Sequence, residues 1–235
     1  MQLERILHRH GFGTRKACRA LVRQGRVSIG GAVCADPFAE LATDGLAFTV
    51  DGVDWPYVEF ATVLLHKPAG YECSRKPQHH PSVLELLPPP LRERGVQPIG
   101  RLDEDTTGLL LFTDDGRLNH QLSSGKRKVP KVYLATTKHP LDAEQLDRLL
   151  AGVVLNDEPL AVAAAAAEVV DNFHLRLTVT EGKYHQVKRM VAAAGNRVEA
   201  LHREMLGGLV LPADLKPGEW RWLAAVDHEK LRKSA

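Results

Sequence analysis

A chain of 235 residues, 44% of them hydrophobic, buries a real core and has room for two unequal domains of ordinary size. Its formal charge of +2, from 31 basic against 29 acidic side chains, excludes a strongly acidic chain kept open by self-repulsion. The three widely spaced cysteines, Cys18, Cys34 and Cys73, exclude both a disulfide framework and a Cys-x-x-Cys zinc site.

The amino terminus, MQLERILHRHGFG, alternates charge with apolar residues and lacks the apolar core of a signal peptide. No later stretch reaches the length of a membrane span, so the expectation is a cytoplasmic protein with no membrane partner. Leu3, Ile6 and Leu7 recur at helical spacing, and Thr14 is placed to cap a second helix whose Ala17, Ala20 and Leu21, with Cys18, turn inward. Short strands are predicted over residues 26–29 and 46–50, with Gly30-Gly31 and Asp51-Gly52 as turn dipeptides. Residues 1–34 carry seven cations, Arg5, Arg9, Arg15, Lys16, Arg19, Arg23 and Arg26, against the single acid Glu4. Two adjacent helices so cationic on their outer faces match a polyanion better than plain solvent. The head, Leu-x-x-Ile-Leu, then Gly-x-x-Thr-Arg-Lys-Ala, then Gly-Arg-Val-Ser-Ile-Gly-Gly, resembles the small RNA-binding module first named from ribosomal protein S-four.

Asp54-Trp55-Pro56 breaks the strand pattern and is read as a linker. Beyond it a buried strand is predicted over 60–66, a short helix over 82–87 stopped by three prolines, and a buried strand over 108–113. There follow a helix over 117–122, a strand over 132–137, an amphipathic helix over 142–150, a half-buried strand over 173–180 and a helix over 183–194 ended by Gly195-Asn196. The alanine-rich run 161–167 stays ambiguous, because alanine favours helix while its valine neighbours favour strand. With no regular βαβ rhythm the fold class is α+β. The expected division is a small α/β RNA-binding module over residues 1–56 and a larger mixed-sheet domain over residues 60–230, which would carry any catalytic site.

The segment GRLDEDTTGLLLFTDDG, residues 100–116, sets Asp103 beside a threonine pair and an apolar run. A polar loop closing a hairpin would use the same residue types. Asp103-x-Asp105-x-Thr107 also spells the Asp-x-Asp-x-Thr signature of magnesium-dependent phosphatases. That signature belongs directly after a buried strand, whereas here the apolar strand follows it. Further along stand Lys131-Val132-Tyr133, EGKYHQVKRM from Glu181 and LHREMLGG from Leu201.

In that order these motifs resemble the pseudouridine synthases, most closely the branch that modifies small-subunit ribosomal RNA. The resemblance implies that Asp103 is the essential carboxylate, that Tyr133 stacks on the target uracil, and that Lys188 pairs with Asp103. It implies further that Leu201 packs beside the base and that Arg101 holds the flipped nucleotide or contacts its phosphate. A nucleophilic carboxylate in a closed site needs a cation nearby to stay ionised, and a flat ring with a polar tip suits an extruded pyrimidine. Lys126, Arg127 and Lys128 are read as a loop that contacts phosphates. The implied reaction turns uridine into pseudouridine, of the uridine 516 class. Its product is an isomer of its substrate, so neither cofactor nor metal is expected. Ribosomal RNA or an assembly particle is the expected partner, and a monomer the expected form. Large-subunit RNA as substrate, a non-catalytic assembly factor and the phosphatase are the alternatives.

Overall fold

A computed structural model describes residues 1–232, apart from the side chains of Lys126 and Arg232. The chain forms two compact units, Met1–Ala61 with Leu87–Gln97, and Thr62–Leu86 with Pro98–Ala235.

The first unit holds α1 (Leu3–Arg9), α2 (Arg15–Arg23) and a sheet of β1 (Val27–Ile29), β2 (Ala32–Val33), β3 (Ala47–Val50) and β4 (Val53–Pro56), in the order β2-β1-β3-β4. A further helix, α3 (Pro89–Arg94), belongs to it as well. Thr14 caps α2 by accepting the Ala17 N–H at 3.2 Å. Leu3, Ile6 and Leu7 are fully buried, and so are Cys18 and Val22, whereas Ala17 and Ala20 face solvent. The inner stripe of α2 thus runs through the i, i+4 pair Cys18 and Val22, and alanine is too small to mark a helix face by itself. Asp54-Trp55-Pro56 is no linker: it lies in β4, paired with β3, and Trp55 is buried with its ring edge-on to Phe12 at 5.0 Å. β4 is the edge of this sheet, where a proline costs no ladder bond. The prolines after Leu87 start a helix rather than only stopping one. Pro88 is the N-cap of α3 and Pro89 its first residue, where a missing N–H is harmless.

The second unit is built on a large mixed sheet. Its strands are β5 (Thr62–Lys67), β6 (Gln97–Pro98, at the boundary of the two stretches of chain), β7 (Thr107–Thr113), β8 (Lys131–Thr137), β9 (Ala166–Asp171), β10 (His174–Val179), β11 (Val198–Leu206), β12 (Leu209–Val210) and β13 (Trp220–Trp222). The main order is β13-β5-β7-β11-β8-β10-β9, with β12 paired to β11. All these contacts are antiparallel except β7 with β11, which is parallel. The helices are α4 (Gly116–Ser123), α5 (Ala143–Ala151), α6 (Gln186–Ala193) and α7 (Ala225–Arg232). Leu64, Leu109, Leu111, Leu122, Leu206 and Leu231 form one buried cluster of this unit. The α+β class read from the sequence is the class observed; of the alanine-rich run only Ala166 and Ala167 enter a strand, β9, while Val162 makes an isolated bridge to Val153.

The parallel contact fixes one residue type. Gly108 has φ +106°, and a Cβ on it would stand 2.3 Å from the Arg203 carbonyl oxygen and 2.7 Å from its nitrogen. Only glycine allows β7 and β11 to approach this closely just where the Asp103 loop runs into the sheet.

Candidate active site

Asp103 sits on the loop leading into β7, and that loop is fastened at several points. Lys67, wholly buried at the end of β5, donates from Nζ to the carbonyls of Pro68 (3.0 Å), Glu104 (3.1 Å) and Thr106 (2.8 Å). Burial pushes the Lys67 ammonium below its ordinary range, against the pull of Cys73, Asp105, Glu104 and Asp103. The Glu104 carbonyl also accepts the Gly70 N–H at 2.8 Å, and the Leu102 N–H reaches the Cys73 sulfur at 3.4 Å. Within the loop the Thr106 N–H donates to the Asp103 carbonyl at 3.1 Å. The carboxylate is therefore held by backbone bonds to β5 and its flank, while its side chain stays a quarter exposed.

That side chain lines a cavity of about 700 Å³, large enough for a nucleotide base and its sugar. Tyr133 on β8 and Leu201 on β11, 8% and 7% exposed, line the same cavity, with Arg101 among its exposed lining residues. Strand alternation explains the grouping. Tyr133 is paired directly with Arg203 and Ala135 with Leu201, so Leu201, Arg203, Tyr133 and Lys131 share one face of the β8–β11 ladder. A register shift between Arg203 and Met205 returns Leu206, opposite Lys131, to that face, whereas Glu204 and Met205 both line a separate groove.

Another wall comes from α6 and the turn before it. Lys188 Nζ lies 3.3 Å from Asp103 Oδ2 but 2.7 and 2.8 Å from the two oxygens of Asp105, so this cation is shared by both acids and Asp105 takes the closer part. Burial works against the charged Lys188, yet the hydrogen bond to Asp105 and the charges of Asp103 and Asp105 outweigh it and raise the ammonium above its usual value. For Asp105, too, burial is outweighed by the bond to Lys188, which leaves its carboxyl below the ordinary range. His185 Nε2 stands 3.3 Å from Asp103 Oδ1. Its backbone is left-handed, φ 47°, so α6 begins at Gln186 rather than at Lys183. Holding a non-glycine residue there costs of the order of 1 kcal/mol or more, and such strain gathers at functional sites. Tyr184, 69% exposed, stacks on the His185 ring at 3.8 Å.

Arg127 and Lys128, after α4, are exposed and do not line the cavity, and the side chain of Lys126 lies outside the described residues. In the first unit Arg5, Arg15, Lys16 and Arg23 are exposed and make no ion pair among the described residues. Arg19 is engaged with buried Glu4, and Arg26 binds both oxygens of Asp51 at 2.7 and 2.6 Å. The hydrogen bond from Arg19 keeps the Glu4 carboxyl below its usual range despite burial.

Sequence reasoning missed Lys67, Lys131, Arg203 and His185 as site residues. It also missed the segment ending in His79-His80, both of which line the cavity. Glu72 folds that segment by accepting the N–H groups of Gln78, His79 and His80 at 3.1, 2.8 and 2.9 Å, which lowers its carboxyl. The arginine of Leu-His-Arg stands in a motif the sequence singled out and Lys67 just after a predicted strand, but nothing local marks either as buried. Among the described residues no group of three or more His, Cys, Asp or Glu side chains could hold a metal ion.

Comparison with known proteins agrees with this geometry. The RNA pseudouridylate synthase family matches residues 61–193. Over 234 residues, 99% of this chain and 100% of the relative, the sequence is 35% identical to ribosomal small subunit pseudouridine synthase A of Haemophilus influenzae. It is 46% identical to the protein of the same name from Escherichia coli K12 over 158 residues, 67% of this chain and 68% of that one. A crystal structure of a pseudouridylate synthase, 33% identical, superposes with a TM-score of 0.70 over 98% of this chain and 99% of that one. A carboxylate held at the mouth of a base-sized cavity, in a chain so related throughout its length, means that this protein belongs to the RNA pseudouridylate synthase family, whose members are isomerases.

Proposed function

We propose that the protein converts one uridine of small-subunit ribosomal RNA, of the uridine 516 class, to pseudouridine, with Asp103 as the nucleophile. The observation that carries this reading is the single cavity that gathers Asp103, the flat ring of Tyr133, and Leu201. A uridine swung out of its helix stacks on Tyr133 and packs against Leu201, with its glycosidic bond presented to Asp103. Lys188 balances the Asp103 carboxylate as the base displaces water, and Arg101 at the rim meets the flipped nucleotide or its phosphate. The substrate class is that named for the relatives matched along nearly their whole length.

The exposed cations Arg5, Arg15, Lys16 and Arg23 give the first unit a phosphate-binding face; in the second unit Arg127 and Lys128 contact phosphates separately. Arg19 and Arg26 serve it less directly, since each already neutralises a carboxylate. The residues of the proposed site all belong to one unit of one chain, which fits action as a monomer. The three unpaired cysteines fit the reducing cytoplasm, and no helix among the described residues is long and apolar enough to cross a membrane.

The test is to incubate the protein, in chelator, with unmodified small-subunit RNA or assembly particles and then map pseudouridine. One modified uridine is expected with the wild type. Asp103→Asn should lower the rate by roughly 10³-fold or more while RNA affinity stays intact. Modification of large-subunit RNA instead would overturn the substrate assignment. RNA binding with no modified site would leave an assembly factor.

A further inference from the structure

Two cations on the cavity lining have no role in the site as described so far. Lys131 lies two residues before Tyr133 on β8, and its Nζ donates to the Val129 carbonyl at 3.0 Å. Arg203, opposite Tyr133 on β11, is 2% exposed; its Nε donates to the Leu109 carbonyl at 2.8 Å, while its buried Nη2 finds no hydrogen-bond partner among the described residues. Neither side chain forms an ion pair with a carboxylate among the described residues. Their charges oppose each other, and burial together with the Arg203 charge brings the Lys131 ammonium down to about 8. Two like charges lining one cavity, Arg203 buried and Lys131 half-buried, with no carboxylate paired to either among the described residues, form a costly arrangement, which an arriving anion would relieve.

The chemistry of the reaction supplies such an anion. When the C1′–N1 bond of uridine breaks heterolytically, its electron pair leaves with the base, and the negative charge spreads over N1, O2 and O4 of the detached uracil. Formation of the C1′–C5 bond then uses a pair from the ring, and the bond that Asp103 made to carbon breaks, its pair returning to the carboxylate. C5 gives up its proton and N1 takes one, so the product is an isomer of the substrate. Arg203 is nearly inaccessible to solvent, whereas the RNA backbone follows the exposed rim. A charge developing on the flipped base is therefore the one these cations can meet.

We propose that Lys131 and Arg203 form an anion-recognition site for the detached uracil, stabilising the negative charge that develops on its ring while it turns between bond breakage and reattachment. This deepens the reading of the cavity as a uridine-isomerising site and rests on it. The two roles divide the charge: Asp103 handles the sugar or ring carbon, and the cation pair holds the electrons the base carries away. Tyr133, directly opposite Arg203 and two residues from Lys131 on β8, keeps the ring in plane as it turns.

Barbiturate is the probe, because it has the outline of uracil and carries a full negative charge at neutral pH. Binding of barbiturate and of uracil to the whole protein is measured by calorimetry at neutral pH, with no RNA present. Wild type is expected to bind barbiturate at least ten-fold more tightly than uracil. Lys131→Met should abolish that preference, and Arg203→Lys, which keeps the charge but loses the fork, should reduce it. In single-turnover assays on RNA, Lys131→Met should be slowed about 100-fold with RNA affinity unchanged, while Lys131→Arg keeps most of the rate. Equal binding of the two bases, binding of neither, or a preference that survives in Lys131→Met overturns the proposal. Because the binding assay needs no turnover, such a failure is separate from a failure of the isomerase reading, which appears as unmodified RNA with the wild type.

Discussion

Replacing Lys67 by methionine keeps the length and burial of the side chain and removes three hydrogen bonds at once. The carbonyls of Pro68, Glu104 and Thr106 then lose the Nζ donor. An unsatisfied buried acceptor costs roughly 1–3 kcal/mol. The low end applies here, because Glu104 and Thr106 line the cavity, where water can replace part of the lost bonding. Release from the desolvation that depresses the Lys67 ammonium offsets some of the loss as well. The sum is about 3 kcal/mol, within the roughly 5–15 kcal/mol by which domains are stable, so the variant stays folded. A domain of this size should melt roughly 6–12 °C lower. The larger effect falls on function: the loop that carries Asp103 loses its anchor to β5, and a displacement of about 1 Å at a reacting group lowers the rate by about 100-fold. Urea denaturation and single-turnover pseudouridine formation, measured on the same preparation, check both parts. A variant as stable as the wild type within about 0.5 kcal/mol would refute the accounting. A destabilised variant with full rate would refute the claim that Lys67 positions Asp103.

Two further predictions follow from the sheet. Gly108→Ala combines left-handed strain of about 1–3 kcal/mol with overpacking of about 1–3 kcal/mol against the Arg203 backbone, so it should express as unfolded or strongly destabilised protein. Gly45→Ala, also at positive φ but in open space, should cost only about 1 kcal/mol by urea titration. The folded protein holds Lys131 near about 8 whereas the unfolded chain titrates near 10.4, so between those values the unfolded state carries the extra proton and stability rises with pH. Relative to Lys131→Met, the wild type should therefore gain about 1–2 kcal/mol between pH 8 and pH 9.5. A difference that stays flat or falls would show that Lys131 is not desolvated.

The parts of the site legible in the sequence are those whose signal is local. Asp103 stands in a distinctive acidic loop before an apolar strand, and the motifs around Tyr133, Lys188 and Leu201 keep their order along the chain. Lys67 and Arg203 are invisible as site residues because the bonds that place them, Lys67 to Glu104 and Thr106 and Arg203 to Leu109, span 37 or more positions, and no spacing rule reaches that far. The strand β11 gave no strand signal. Its Glu199, Ala200, Leu201, Arg203, Glu204 and Met205 favour helix, and pairing on both sides overrides that preference. The start of α6 was read three residues early, because Lys183-Tyr184-His185 continues the helical pattern while the left-handed His185 breaks it. Around Asp103 the sequence named one cation; the structure surrounds the acid with Lys188, His185 and the backbone clamp of Lys67.

The chain leaves the first unit after Ala61, comes back for Leu87–Gln97, and leaves again. On that return α3 buries Leu91, and Arg94 donates to the carbonyls of Val58 and Glu59 at 3.2 and 2.7 Å. A gene fragment ending at the first exit would thus encode a head without one of its own helices. Recombination that traded heads between relatives would have to cut the reading frame in three places rather than one. The two units are covalently interleaved, so they are inherited together, and the basic head is passed on as part of the enzyme rather than as a separable cassette.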